Sequence, residues 1–118
     1  MTQATGPFEW EDIAGVMVVR FHTPFLRDEQ TILNLFEPIT DMVDQGRDKV
    51  LINFEGVESI ASYAIGKLVA LNNKLAQPRV LALCKLTPIV EEIIDIMGLR
   101  SRLRIYDTER DALDRLTA

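Results

Sequence analysis

Val50-Leu-Ile-Asn-Phe-Glu-Gly-Val-Glu-Ser-Ile-Ala-Ser-Tyr-Ala-Ile-Gly-Lys-Leu-Val-Ala-Leu71 changes its hydrophobic period partway along, and that change decides the fold. The opening run, Val50 to Phe54, is short, apolar and β-rich, the pattern of a strand covered on both faces. Gly56 permits a turn, and Ser59 offers a hydroxyl to cap a helix. From Ile60 onward Ile65, Leu68, Val69 and Leu71 recur at intervals of three and four, one stripe of an α-helix. A buried strand therefore feeds a helix. Ser62 falls near the first helical turn, where unpaired N–H groups and the positive end of the helix dipole favour added negative charge.

The pattern continues outward on both sides. Val80 to Cys84 is a second buried strand, Thr87-Pro88 starts a helix with a capping hydroxyl and proline at the first helical position, and Gly98 closes it. The apolar face of that helix is Ile89, Val90, Ile93, Ile94 and Met97. Leu103 to Tyr106 reads as a short strand and Asp107 to Leu116 as a capped amphipathic helix. Upstream, Phe8 to Glu11 and Val16 to Phe21 form a hairpin around Asp12 to Gly15. His22-Thr23-Pro24 ends it, and Asp28 stands before the helical periodicity Ile32, Leu35, Phe36, Ile39, Met42 and Val43, which ends at Gly46. Pro38 falls inside this stretch, which is either one kinked helix or two short ones. The expected architecture is an α/β sandwich with a mixed sheet of about five strands and about four helices, parallel where helices intervene and antiparallel at the hairpin.

With 118 residues, 47% of them hydrophobic, the chain suits one domain, residues 1–118, with a single core. No stretch approaches the roughly 18 uninterrupted apolar residues of a membrane span, and the opening residues lack the basic start and apolar run of a secretion signal. A cytoplasmic protein without direct membrane insertion is expected. The net charge of −5 and pI near 4.8 argue against a nucleic-acid surface, because backbone binding draws on many Lys and Arg contacts. Cys84 has no intrachain partner and reads as a buried, inert thiol, and His22, the one histidine, as a surface or strand-end residue. Disulfides, multi-histidine zinc sites and a cysteine-rich metal site are excluded.

The chemistry-bearing motifs are few. The turn after Phe54 has one glycine and neither GxGxxG nor GxxxxGK[ST], so no nucleotide-cradling loop is present. Lys85 and Pro88 suggest a receiver domain, but Asn53 and Glu55 are the only polar groups near the end of the Val50 strand and no acidic pair joins them to hold magnesium. Glu55 and Glu58 read as solvated turn residues. Arg100, Arg102 and Arg104 share one face if the segment is extended, either as a docking patch or as a solvated edge pairing with Asp95, Asp107 or Glu109. One histidine, one cysteine in an apolar context and no paired acids leave no general base or nucleophile, so no enzyme, cofactor or metal is expected.

Taken together, Leu51-Ile52-Asn53-Phe54, the Ser62 helix, Pro88 to Met97, Gly98-Leu99 and the closing Ile105-Tyr106-Asp107 to Ala112-Leu113 resemble the STAS family, whose stand-alone members are bacterial anti-sigma factor antagonists. In that family the loop after the third strand carries Asp-Ser-[Ser/Thr]-Gly, whose serine is phosphorylated by a partner kinase that is also the anti-sigma factor. Ala61-Ser62-Tyr63-Ala64 stands there in this chain: Ser62 matches the phosphoacceptor, while Ala61 replaces the acid, Tyr63 the second hydroxyl residue and Ala64 the glycine. The resemblance implies that Ala61, Ser62, Tyr63, Ala64 and Ile65 contact a serine-kinase anti-sigma factor, releasing a sigma factor until phosphorylation of Ser62 reverses the binding. The altered motif favours the alternative, an unphosphorylated scaffold subunit assembled with other STAS proteins in a stressosome-like complex or a lipid-transport system.

Overall fold

The computed structural model describes residues 8–118 in full and, before them, only the backbone of Thr2–Thr5. Six strands make the main sheet, in the order β1 (Thr2–Thr5), β2 (Phe8–Ile13), β3 (Val16–Phe21), β5 (Lys49–Asn53), β7 (Val80–Cys84) and β8 (Arg104–Tyr106). The first three are antiparallel neighbours, and β3, β5, β7 and β8 run parallel. A second, two-stranded parallel sheet pairs β4 (Phe25–Leu26) with β6 (Ser59–Ile60). Among the described residues there are four α-helices: α1 (Glu29–Asp44), α2 (Ser62–Lys74), α3 (Pro88–Ile96) and α4 (Glu109–Leu116). The mixed sheet and four helices match the expected sandwich, and β1 extends the sheet beyond five strands. Among the described residues no helix is long and apolar enough to cross a membrane.

Strand alternation distributes the core. Met17, Val19, Phe21, Val50, Ile52, Leu81 and Leu83 face α1, α2 and α3, while Val16, Val18, Leu51, Ala82 and Cys84 face α4. Because neighbouring parallel strands hold Met17 opposite Val50 and Val50 opposite Leu81, each face is continuous across the sheet. The β2–β3 turn places Ala14 and Gly15 at positive φ (51° and 88°), the two-residue turn whose twist matches a hairpin.

Helix ends follow local chemistry with two departures from expectation. Asp28 caps α1, its carboxylate accepting the Thr31 N–H at 2.9 Å, and Thr108 caps α4 by accepting from Asp111 at 3.0 Å. Pro38 lies inside one continuous α1, so the two-helix reading is set aside. Thr87 occupies the cap position of α3, but its hydroxyl donates to the Val57 carbonyl at 2.6 Å instead of capping. Ser59 caps nothing: it is paired in β6, and its hydroxyl accepts from Arg27 at 3.1 Å.

Arg100, Arg102 and Arg104 do not lie along an extended segment. Gly98, at φ +67°, ends α3 with the Gly98 N–H on the Asp95 carbonyl and the Leu99 N–H on the Ile94 carbonyl, both 3.0 Å. The chain then makes one 3₁₀ turn, Arg100–Arg102, before β8. Arg100 folds back onto Asp95 at 2.6 Å and Glu91 at 3.0 Å. Its guanidinium holds the Asp95 carboxyl below the usual aspartate range. The apolar face expected of α3 is likewise only partly covered. Val90 and Ile94 are buried, whereas Ile89 and Met97 are about half exposed and Ile96 more so.

Candidate functional site

The candidate site is the junction from β5 to α2. Phe54 and Val57 are fully buried and anchor both ends of a turn, closed by the Val57 N–H donating to the Phe54 carbonyl at 3.0 Å, with Gly56 at φ +85°. Asn53 accepts the Glu55 N–H at 2.7 Å, a side-chain turn that sets the direction in which the chain leaves β5. Beyond the turn, the Pro24 carbonyl accepts from Glu58 and Ser59, and the Leu26 carbonyl accepts from Ala61 at 2.7 Å. Pro24 to Leu26 thus form a brace that delivers the chain to the start of α2.

Ser62 is the first residue of α2, and it is exposed. No described residue hydrogen-bonds its hydroxyl. Ala61, at the cap position, has extended backbone angles but no side chain able to accept a helix N–H. The first turn of α2 therefore presents N–H groups and the positive dipole end to solvent beside a free hydroxyl. Tyr63 is 40% exposed, with the Lys67 ammonium 5.4 Å from its ring centroid. Ala61 is half-buried. Ala64 and Ile65 are fully buried in the core beneath the helix, so they hold the helix down and offer no contact surface to a partner. That reverses the expectation for both. The helical period explains it: two positions after an exposed Tyr63, a side chain has rotated to the inner face.

Phe25, missed in the sequence, lies beside the strand that leads into α2. It is 57% exposed and pairs directly with Ser59. A two-residue parallel pair between distant segments leaves no periodicity to read, although a phenylalanine directly after the Pro24 break was a usable signal. Charge flanks the junction: Arg27 donates to the Ser59 hydroxyl, Lys67 lies over Tyr63, and Glu58 is exposed just before Ser59. Ile89, in the first turn of α3, follows the Thr87 strap to Val57.

On the opposite face, at the carboxyl ends of β3 and β5, Glu109 accepts from Arg20 at 2.7 and 2.8 Å and from Asn53 at 2.6 Å. Arg20 and then Asn53 hold the Glu109 carboxyl below the usual glutamate range. This cluster ties α4 to the sheet and, through Asn53, to the turn that carries the site. Glu109 thus pairs with Arg20 and not with the Arg100 to Arg104 segment. Cys84 is buried beside it, and burial pushes its thiol up to about 12, which makes it a poor nucleophile. His22 is exposed at the end of β3, its Nε2 3.5 Å from Glu9. Glu55 and Glu58 are exposed, Glu55 lying 3.6 Å from Lys85.

Known proteins share this fold. The structure of an anti-sigma-factor antagonist (STAS) domain protein from Planctomyces limnophilus superposes with a TM-score of 0.83 at 26% identity, covering 98% of this chain and all of its own. The anti-sigma factor antagonist SpoIIAA in its unphosphorylated form gives 0.77 at 23% identity, covering 92% of this chain and 95% of that one. Bacillus SpoIIAA in its phosphorylated form gives 0.72 at 22% identity, covering 92% and 98%. No curated protein matches the sequence. Residues 8–112 match the STAS domain, so the chain belongs to the STAS domain family.

Proposed function

We propose that this protein is an anti-sigma factor antagonist that binds a serine-kinase anti-sigma factor through the surface formed by Ala61, Ser62, Tyr63 and Phe25, and that phosphorylation of Ser62 reverses the binding. It acts in the cytoplasm as a binding module, without catalysis of its own. The observation that carries this reading is the exposed, unbonded Ser62 hydroxyl at the start of α2. A kinase needs that oxygen in reach, and a partner docked on Tyr63 and Phe25 covers it. A phosphate there adds about −1.5 to −2 charge to a contact surface, which a closely packed partner must desolvate or repel. The similarity to SpoIIAA, known in both unphosphorylated and phosphorylated forms, supports the switch.

Incubation with the cognate kinase and ATP should add one phosphate, located at Ser62 by mass spectrometry, and Ser62→Ala should accept none. An active kinase that binds the protein yet leaves Ser62 unmodified removes the switch. Ala61 at the cap favours a second reading, because the motif's acid is gone: a constitutive scaffold subunit assembled with other STAS proteins. Co-purification separates the two, since the switch retrieves a kinase and the scaffold retrieves large STAS assemblies.

A further inference from the structure

The end of α2 remote from Ser62 carries a second feature. Helix α2 has thirteen residues and so rises roughly 20 Å between the two ends. At its carboxyl end a cavity of about 270 Å³ opens between α2, the start of β7 and the segment entering β8. Asn72, Asn73, Gln77, Arg79, Arg102 and Arg104 line it, and no carboxylate does, in a chain whose 18 acidic residues outnumber its 13 basic ones. Leu75 and Leu81, both buried, contribute the apolar part of the wall.

The three arginines differ. Arg79 donates to the Lys74 carbonyl and to the Val43 carbonyl at 3.5 Å, so its guanidinium offsets the negative carboxyl ends of α2 and α1. Asp44, at the end of α1, is held by Lys74 at 2.5 Å. Arg100, just before them in sequence, is engaged by Glu91 and Asp95 outside the cavity. Arg102 and Arg104 meet no carboxylate among the described residues. The Asn72 amide donates to the Arg102 carbonyl at 3.1 Å and fixes the two walls relative to each other. Guanidinium and amide groups supply directional N–H donors suited to the oxygens of phosphoryl and carboxylate groups, and a concave wall concentrates their field.

We infer that this cavity binds a small polyanion, a metabolite-sized ligand bearing two or more phosphoryl or carboxylate groups. The cleft is open to solvent, and its volume of about 270 Å³ suits a compact ligand better than an extended acidic peptide. This site is independent of Ser62 and of the proposed partner.

The test titrates uniformly ¹⁵N-labelled protein with inorganic pyrophosphate in one arm and citrate in the other, followed by ¹H–¹⁵N spectra. Saturable shifts are expected at the Asn72, Asn73 and Gln77 side-chain amides and at the Arg102 and Arg104 Nε–H. Saturation by pyrophosphate alone identifies a phosphorylated ligand, by citrate alone a polycarboxylate, and by both the anion class. Arg102→Ala/Arg104→Ala should weaken the apparent affinity at least about tenfold, and Arg100→Ala by no more than about twofold. Absence of saturable shifts up to about 10 mM of either anion overturns the inference without any variant being needed. Equal losses in Arg100→Ala and in the double variant also overturn it, since binding is then diffuse surface charge. Tighter binding of a hexaglutamate peptide than of both anions overturns it in favour of an acidic protein segment.

Discussion

Glu109 shows how much a single side chain can organise across the sheet. One carboxylate takes three hydrogen bonds, two from the Arg20 fork and one from Asn53. Its folded acidity is shifted below the unfolded value near 4.5, so between the two the unfolded chain holds more protons. Stability from this group is therefore present above about pH 4.5 and is lost as pH falls through the folded value. Glu109→Gln keeps the shape but removes the charge and one acceptor. It should cost about 1 to 2 kcal/mol at pH 7, less than a sealed pair would because the group is partly solvated. Urea unfolding at a series of pH values checks this, and the gap between wild type and variant should narrow progressively as pH falls below about 4.5. A gap that stays constant with pH would assign the loss to packing instead. Arg20 and Glu109 are separated by 89 positions in the chain, and nothing local marks either for the other. Ser62 was readable because its signal is local: a period change, a turn glycine and a small hydroxyl at the start of a helix.

Among the elements, those specified by their own residues were legible and those specified by distant neighbours were not. The buried strands β5 and β7, Asp28 ahead of α1, a capped helix after Tyr106 and the glycine stop at Gly98 lie in the sequence as written, while the choice of Thr108 over Asp107 as the cap of α4 does not. Strands β4 and β6 have two residues each and exist only because Pro24 to Leu26 and Glu58 to Ala61 bond to each other. Arg100, Arg102 and Arg104 recur at every second position, as on one face of a strand, yet the left-handed Gly98 and the pull of Asp95 and Glu91 wind the start of the segment into a 3₁₀ turn. Similarly, the periodicity of Ile89 and Met97 gave no indication of how little of α3 the sheet covers. The stop itself is testable. An added Cβ at Gly98 meets nothing within 4 Å, so Gly98→Ala tests the positive φ alone. It should cost about 1 to 2 kcal/mol by denaturant unfolding. If Gly98→Ala is neutral, the end of α3 is held by the Leu99 anchor and not by the left-handed backbone.

At the scale of the molecule, the sheet and the brace from Pro24 to Leu26 fix the start of α2, and this determines what kind of switch the proposed phosphorylation of Ser62 would be. Ala61 supplies no acceptor to the first turn of α2, so a phosphate on Ser62 finds unpaired N–H groups and the positive dipole end beside it. Modification should then leave the fold intact and stabilise it by about 0.3 to 1 kcal/mol, raising the midpoint of thermal unfolding by up to about 4 °C. Net charge moves from −5 to about −7, and the change is confined to the end proposed to face the partner. Affinity for the kinase should fall while thermal stability holds or rises, the opposite of a switch that works by loosening the domain. Calorimetry and partner titration on the same phosphorylated sample decide between them. A phosphorylated protein that unfolds at lower temperature, with amide shifts spreading from α2 into β5 and β7, would place the switch in the core and not at the surface.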